Sequence, residues 1–373
     1  MVAYWLYAHV LDHDTVYDCL AAIDGGQIAF DVQGIALGEC ALGYAEDASI
    51  GVALSRAIGP AFASLLDMET SAVAELVSSI RWGEVSEDGH PHTIDHGTDQ
   101  PPEIRMSWQG SAADLICLAH EVAHAVQLQL SAGSVMLPVA RETCAFLGEL
   151  ALIDWARKND THLAAKLLSV WQEDNEAYFG EDCDLLRAAL ADPGMPYSYR
   201  MNYPLARAAA IFMQRSGRDA WRLFKAGLEA MALLPLPSIA DLAEKPQNYL
   251  PPLPPPDADT AATNAYRALG AMALLDIDLW KGEAERRIED YYASLLHHLQ
   301  TQTAFIALDE VRRPVGYATW RKAAGDNTVT LTRQAAPFGD HLFLQRALQR
   351  HLGQEHDVLA RHQRSAQQEQ AAW

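Results

Sequence analysis

Apolar residues recur at helical spacing over most of the first 250 positions of the chain. The clearest segment is DLICLAHEVAHAVQLQL, which follows Ser111 and ends where Ser131 interrupts the pattern. Ser111 and Asp114 form the S-x-x-D signature of a capped helix start. A second helix is predicted from Pro138, a residue that suits the first turn, to about Trp155. The pattern therefore predicts two consecutive helices joined by a short turn.

Other patterns predict strands, loops and domain boundaries. The segment EIRMSW, residues 103–108, alternates in polarity and predicts a short strand, whereas the polar run before it predicts a loop. Near the C-terminus, TAFIALDE, VGYATWRK and TVTLTRQ predict three strands of an α/β unit. We predict a mostly α protein divided into a mixed N-terminal region (1–84), a helical core of the same unit (85–246), a proline-rich linker (247–264) and a small α/β domain (265–373).

Composition narrows the range of partners. The formal net charge is −21, which disfavours nucleic acid and anionic lipid and suits a neutral or cationic peptide better. The N-terminus lacks the basic and apolar regions of a signal peptide, and no apolar run is long enough to span a membrane. The five cysteines are scattered and form no CxxC pair, as expected of reduced thiols. We therefore predict a cytoplasmic protein with no membrane or nucleic-acid partner.

Candidate chemistry lies on the first of the two helices. His120 and His124 are one helical turn apart, so both imidazoles can reach one metal ion, and Glu121 lies beside them as a candidate general base. Glu142 and Glu149 on the second helix are two turns apart and share a face. Two histidines and one glutamate would leave an open coordination position, which is typical of catalytic rather than structural zinc.

These segments resemble the M3 oligopeptidases, particularly the oligoendopeptidase F branch. The resemblance rests on PEIRMSWQGSAADLICLAHEVAHAVQ and ARETCAFLGEL. It implies a minimal M3-like catalytic domain in which His120, His124 and Glu142 bind Zn²⁺ and Glu121 is the general base of a metallopeptidase. Glu149 would then orient a ligand imidazole from outside the first coordination sphere.

The same resemblance assigns residues to the substrate cleft. In YSYRMNYPLARAAA, Tyr199 and Tyr203 match tyrosines that stabilise the developing oxyanion, and Tyr197 could replace one of them. Pro193 stands where the family has a histidine, which predicts an altered cleft. The family uses an edge strand beside the zinc helix to pair with the peptide main chain. The residues matching that segment are Arg105, Met106, Ser107, Trp108 and Gly110.

The C-terminal region shows a more limited resemblance to the lysine acyltransferases that activate RTX toxins. It rests on PVGYATW (314–320) and APFGD (336–340), the latter ending at Asp340. The histidine on which that family depends is missing, so we predict a degenerate acetyltransferase-like domain that docks a peptide or small protein client.

Three alternatives stay open at this stage. The chain could be a non-catalytic peptide-binding protein built on relic enzyme folds, or an acyltransferase whose peptidase part only recruits substrate. A rival metal site could also form from the loop histidines His90, His92 and His96.

Overall fold

Most of the segments with helical periodicity form helices in the computed structural model. The structure describes residues 2–29, 49–85, 90–97, 100–132, 134–192, 195–243, 267–274, 294–295, 297–308, 314–322, 328–336, 341–352 and 357–359. Contacts divide the chain into two units, namely His9–Leu250, and Met1–Ala8 together with Pro251–Trp373. The predicted linker at 247–264 lies outside the described residues. The prediction of a mostly α protein with a small sheet-containing domain is confirmed.

The larger unit, His9–Leu250, contains the helices that we label α2 to α13 in chain order, α1 being Val2–Ala8 of the other unit. These helices are His13–Asp24, Ile50–Ala53, Gly59–Leu66, Thr70–Ser79, Ala112–Leu130, Pro138–Asn159, Thr161–Glu176, Asp182–Ala191, Tyr203–Arg215, Ala220–Lys225, Ala230–Leu233 and Leu236–Ala240. Two π-helical segments, Leu54–Ile58 and Ala177–Glu181, precede α4 and α9, and the 3₁₀ segment Tyr199–Asn202 precedes α10.

Helices α6 (Ala112–Leu130) and α7 (Pro138–Asn159) form the centre of this unit. The predicted cap of α6 is present, because Ser111 and Asp114 bond each other's backbone N–H groups in a capping box. Pro138 begins α7 as predicted, and the helix ends at Asn159, four residues beyond the expected end. Gly148 allows the two helices to approach closely: a Cβ there would lie 2.8 Å from the Ala123 Cβ and 3.0 Å from the Ala119 carbonyl oxygen of α6.

A three-stranded sheet flanks α6 and corrects two predictions. Its strands are β1 (Arg81–Gly83), β2 (His92–Ile94) and β3 (Glu103–Arg105), in the order β1-β3-β2. β3 pairs in parallel with β1 and antiparallel with β2, so it is the middle strand. The predicted edge position of this strand is therefore wrong, as is its predicted extent to residue 108. The segment predicted as a loop contains β2, because a strand of three residues takes its stability from pairing rather than from its own sequence pattern.

The second unit has the predicted strands and one more. Its four-stranded sheet has the order β4 (Ala304–Leu308), β5 (Pro314–Lys322), β6 (Thr328–Ala335) and β7 (Asp357–Leu359), with β6 and β7 parallel. Residues 267–274 and 297–300 are helical, as is His341–Leu352. Leu348 of the last helix packs in a cluster that includes Trp320 of β5, and Leu344 packs in a second cluster that includes Ala307 of β4.

One finding concerns membranes. No single helix in the described part of the chain is long and apolar enough to cross a bilayer, although the pair Ile50–Leu66 and Thr70–Ser79 meets the length and composition criteria together, with a bend of 116° between its members.

Candidate metal centre

The two histidines of the HExxH segment lie on one face of α6. Their ring centroids are 4.9 Å apart, with the rings edge to face. The side chain of His120 is 16% exposed and that of His124 is 13% exposed, so both line the protein interior but can be reached by a small ligand. The helical spacing thus produces the pair of imidazoles that the sequence predicted.

Glu142 of α7 completes a three-residue group. Its Oε2 atom lies 3.4 Å from Nε2 of His120 and 3.5 Å from Nε2 of His124. Tetrahedral zinc, with bonds of about 2.1 Å, places its donor atoms about 3.4 Å from one another. These two nitrogen–oxygen distances and the types of donor therefore fit zinc, and all three donor atoms lie within 4.8 Å of one another. Among the described residues, His120, His124 and Glu142 are the group of histidines, cysteines and carboxylates that could hold a metal ion.

The charges in this group stabilise one another. Burial alone would lower the pKa of His120, but hydrogen bonds with the carboxylates of Glu142 and Glu149 raise that pKa well above its usual value. Burial likewise opposes ionisation of Glu142, yet the imidazoles of His124 and His120 hold the pKa of its carboxyl well below the usual range. Glu142 is therefore an anion, the form in which a carboxylate binds a metal.

Glu149 lies where the two-turn spacing predicted. Its Oε1 atom is 2.6 Å from Nδ1 of His120. With Nδ1 donating its hydrogen bond to this carboxylate, a metal that displaced the Nε2 proton would find the lone pair of Nε2 directed at it, the arrangement usual for metal-ligating histidines. His124 lacks such support, because its buried Nδ1 atom has no hydrogen-bond partner in the described structure.

Glu121 is buried beside the histidines and held by a residue that sequence reasoning missed. The Thr93 hydroxyl of β2 lies 2.7 Å from Oε2 of Glu121 and 2.9 Å from its backbone oxygen. Thr93 thereby restrains the orientation of the candidate base and ties β2 to α6. No local signal marks this threonine, since its role depends on a strand that forms only in the tertiary structure.

The structure brings Tyr199 into direct contact with the metal group. Its hydroxyl donates a hydrogen bond to Oε1 of Glu142 at 2.5 Å and accepts one from Nη2 of Arg141 at 2.7 Å. Arg141, which the sequence analysis did not select, is the immediate neighbour of Glu142 on α7. Tyr199 therefore touches a residue of the candidate metal group, which the predicted oxyanion role did not anticipate.

The other residues predicted to line the cleft lie near Tyr199 or outside the described part of the chain. Tyr203 packs against Tyr199 and Tyr178, with ring centroids 5.8 and 5.2 Å away. Burial and the Glu142 carboxylate raise the pKa of Tyr203 well above its usual value, so it stays a protonated hydrogen-bond donor. The Tyr197 hydroxyl instead accepts a bond from Asn202 at 3.1 Å. Pro193 and Asp340 lie outside the described residues.

The segment predicted to bind substrate main chain departs from expectation. Arg105 is paired on both sides, with Gly83 and with His92, so its backbone offers no free edge. Met106 is buried and donates its N–H to the Gly83 carbonyl oxygen at 3.3 Å. Ser107 is exposed, Trp108 half-buried and Gly110 buried; their role in binding stays a prediction.

The rival histidine site does not assemble. His92 Nδ1 lies 2.8 Å from the His90 carbonyl oxygen, and His96 Nε2 lies 3.2 Å from Oε2 of Glu103. These three histidines form no metal-binding group within the described part of the chain. His96 instead contacts the buried Glu103 carboxylate of the sheet, which also accepts a hydrogen bond from Arg105.

Comparison with known proteins does not identify the chain. No protein-family model matches it, and no curated protein does. One solved structure, of a protein from Chlamydophila abortus proposed to be a peptidase, matches with 14% identity and a TM-score of 0.31. The match covers 68% of this chain and 40% of the other, so this chain spans about two fifths of that protein's length. A TM-score this low does not establish a shared fold, and no activity of this chain follows from it.

Proposed function

We propose that the unit His9–Leu250 is a zinc-dependent peptidase. The observation that carries the proposal is the convergence of His120, His124 and Glu142 at the spacing of zinc donors, beside a buried Glu121. Zinc bound by these residues would polarise the scissile carbonyl group and lower the pKa of an attacking water. A relationship to the M3-like oligopeptidases is part of this proposal and rests on the resemblance of the sequence segments alone.

Residues of the chain would accept the proton of the attacking water and stabilise the negative charge that develops on the carbonyl oxygen. Glu121 would take the proton of the attacking water, with its carboxylate held in place by Thr93. Tyr203, kept protonated by its surroundings, would donate a hydrogen bond to the oxyanion. Such a bond stabilises charge that appears only in the transition state, so it accelerates the reaction rather than tightening substrate binding.

The peptide main chain would bind at β2 rather than at β3. β2 is an outer strand of the described sheet, and its Thr93 already contacts Glu121. A peptide extended along this strand would pair through its backbone, which gives affinity with little side-chain selectivity. The charge of −21 favours neutral or cationic peptides.

The proposal is tested by zinc content and peptide hydrolysis measured on the same preparations. The wild-type protein is expected to hold about one zinc per chain and to cleave members of a peptide library. Glu121→Gln should keep the zinc and lose hydrolysis, His124→Ala should lose both, and His162→Ala, an exposed histidine on α8, should lose neither. A zinc-loaded wild-type protein that cleaves no peptide would overturn the proposal in favour of a peptide-binding protein.

Docking of a client on the C-terminal unit and a cytoplasmic location stay predictions. A deletion of 265–373 that lowers cleavage of one protein client, but not of short peptides, would support docking.

A further inference from the structure

Arg207 of α10 is the most deeply buried charged group near the metal centre. Its side chain is 0% exposed. An arginine in such a position is costly to desolvate unless its charge and its N–H groups are matched by partners. It also interrupts a run of small apolar residues on the buried face of α10, where an alanine or leucine would be ordinary.

The guanidinium group is fixed in one orientation. Its Nε atom donates to the Asn175 side-chain oxygen at 2.6 Å, and Nη2 donates to the Trp171 carbonyl oxygen at 2.7 Å. The guanidinium carbon lies 3.4 Å from the centroid of the Trp171 ring, 4.7 Å from that of Tyr178 and 5.1 Å from that of Phe146. Two hydrogen bonds and three aromatic neighbours leave this cation little freedom to rotate.

The remaining corner of the guanidinium group faces Glu149. Nη1 of Arg207 lies 3.5 Å from Oε2 of Glu149, and neither atom has a hydrogen-bond partner among the described residues. The other carboxylate oxygen, Oε1, contacts Nδ1 of His120 at 2.6 Å. A single buried carboxylate thus bridges a fixed cation and a candidate metal ligand.

We propose that Arg207 is a positioning residue for the metal centre that acts through Glu149. Its fixed guanidinium group keeps the Glu149 carboxylate aligned, and that carboxylate accepts a hydrogen bond from Nδ1 of His120. His120 is thereby held with Nε2 directed at Glu142. The inference rests on the proposed zinc site and adds a residue that does not touch the metal.

The test is a double-mutant cycle with zinc affinity as the readout, measured by chelator competition on the full chain. Loss of a group that orients a metal-ligating histidine typically weakens metal binding by about 10- to 100-fold. Arg207→Met and Glu149→Gln should each weaken zinc binding by about tenfold or more. The double variant should bind zinc as Glu149→Gln does, because Arg207 acts only through that carboxylate.

Two further variants separate positioning from packing. Arg207→Lys keeps the charge and should bind zinc more tightly than Arg207→Met, even where thermal unfolding shows Lys to be the less stable of the two. If the Arg207→Met variant does not fold, Arg207→Gln takes its place in the double-mutant cycle. Arg215→Met, an exposed arginine on the same helix, is the matched control and should leave zinc affinity unchanged.

Several results would overturn the inference. One such result is a zinc affinity of Arg207→Met equal to that of the wild type. Another is a zinc affinity across the Arg207 variants that tracks their thermal stability rather than the charge at position 207. A third is additivity of the Arg207→Met and Glu149→Gln effects in the double variant. Failure of the wild-type protein to bind zinc would overturn the proposed function itself, and that outcome is visible before any variant is compared.

Discussion

Glu142 accepts contacts from two sides, and these contacts decide what its neighbours can do. One oxygen faces the two histidines, and the other accepts the hydroxyl of Tyr199. Tyr199 in turn accepts a hydrogen bond from Arg141. At the scale of single residues, the Glu142 carboxylate, a candidate metal ligand, is therefore oriented by a tyrosine and an arginine. The sequence instead suggested that the tyrosine contacts substrate.

Tyr199→Phe distinguishes the two roles. We expect zinc affinity to fall by about tenfold, because removing a group that orients a ligand has that typical effect. Chelator competition measures it, with Tyr197→Phe as a control whose hydroxyl contacts Asn202 instead. If Tyr199→Phe keeps full zinc affinity and loses only the rate of peptide cleavage, the hydroxyl acts on substrate, as the sequence implied.

Asp174 predicts a pH dependence of stability near the Arg207 cluster. Burial and the nearby Glu149 carboxylate raise the pKa of Asp174 to about 6. A raised carboxyl pKa means that its contribution to stability is complete below the unfolded value near 4 and is lost as pH rises through 6. Asp174→Asn should therefore raise the melting temperature at pH 7.5 relative to wild type and leave it unchanged below pH 4.

The matched control for that prediction is Asp241→Asn, at an exposed aspartate after α13. This variant also removes one carboxylate but no buried one, so it should not reproduce the rise in melting temperature at pH 7.5. A pH-independent effect of Asp174→Asn would contradict the assigned burial cost.

At the scale of elements, the metal centre depends on the distance between α6 and α7. The donors come from both helices, so their spacing is fixed by how closely the helix axes approach. Gly148 sets that approach, because a Cβ there would lie 2.8 Å from the Phe62 Cζ as well as from the Ala123 Cβ. Two neighbours on separate elements leave no direction in which the added atom could be accommodated cheaply.

Gly148→Ala should therefore destabilise the protein by about 1–3 kcal/mol, despite the better helix propensity of alanine. It should also weaken zinc binding, because moving α7 displaces Glu142 from the histidines. Denaturant unfolding and chelator competition measure the two effects. Gly180→Ala, where a Cβ would meet nothing within 4 Å, is expected to be neutral or stabilising. Equal effects of both substitutions would show that the helix spacing is not the cause.

At the scale of the whole molecule, the three candidate metal ligands all lie in one of two units. Zinc that binds the folded state should stabilise only the unit His9–Leu250. Free zinc at roughly a hundred times its dissociation constant adds about 2.7 kcal/mol, or about 5–10 °C in melting temperature for a unit of this size. Calorimetry should show that shift in wild type, its reversal by a chelator, and no shift in His124→Ala. A shift of both units, or one that persists in His124→Ala, would place zinc elsewhere.

Several features follow from the sequence itself because they are local. The cap at Ser111, the start of α7 at Pro138 and the one-turn spacing of His120 and His124 require only neighbouring residues. Glu142 and Glu149 were also identifiable, since two glutamates seven positions apart share a helix face. The strands β4, β5 and β6 were predicted from alternation and the preference of branched and aromatic residues for sheets.

Other features were decided only by the tertiary structure. β3 became the middle strand because β1 and β2 both pair with it, and β2 brought Thr93 to Glu121. Tyr199 and Arg207 reach Glu142 and Glu149 through packing of α10 and the segment before it. The sequence indicates which potential metal donors a helix carries. Which groups orient those donors depends on the packing of helices and strands that are separated along the chain.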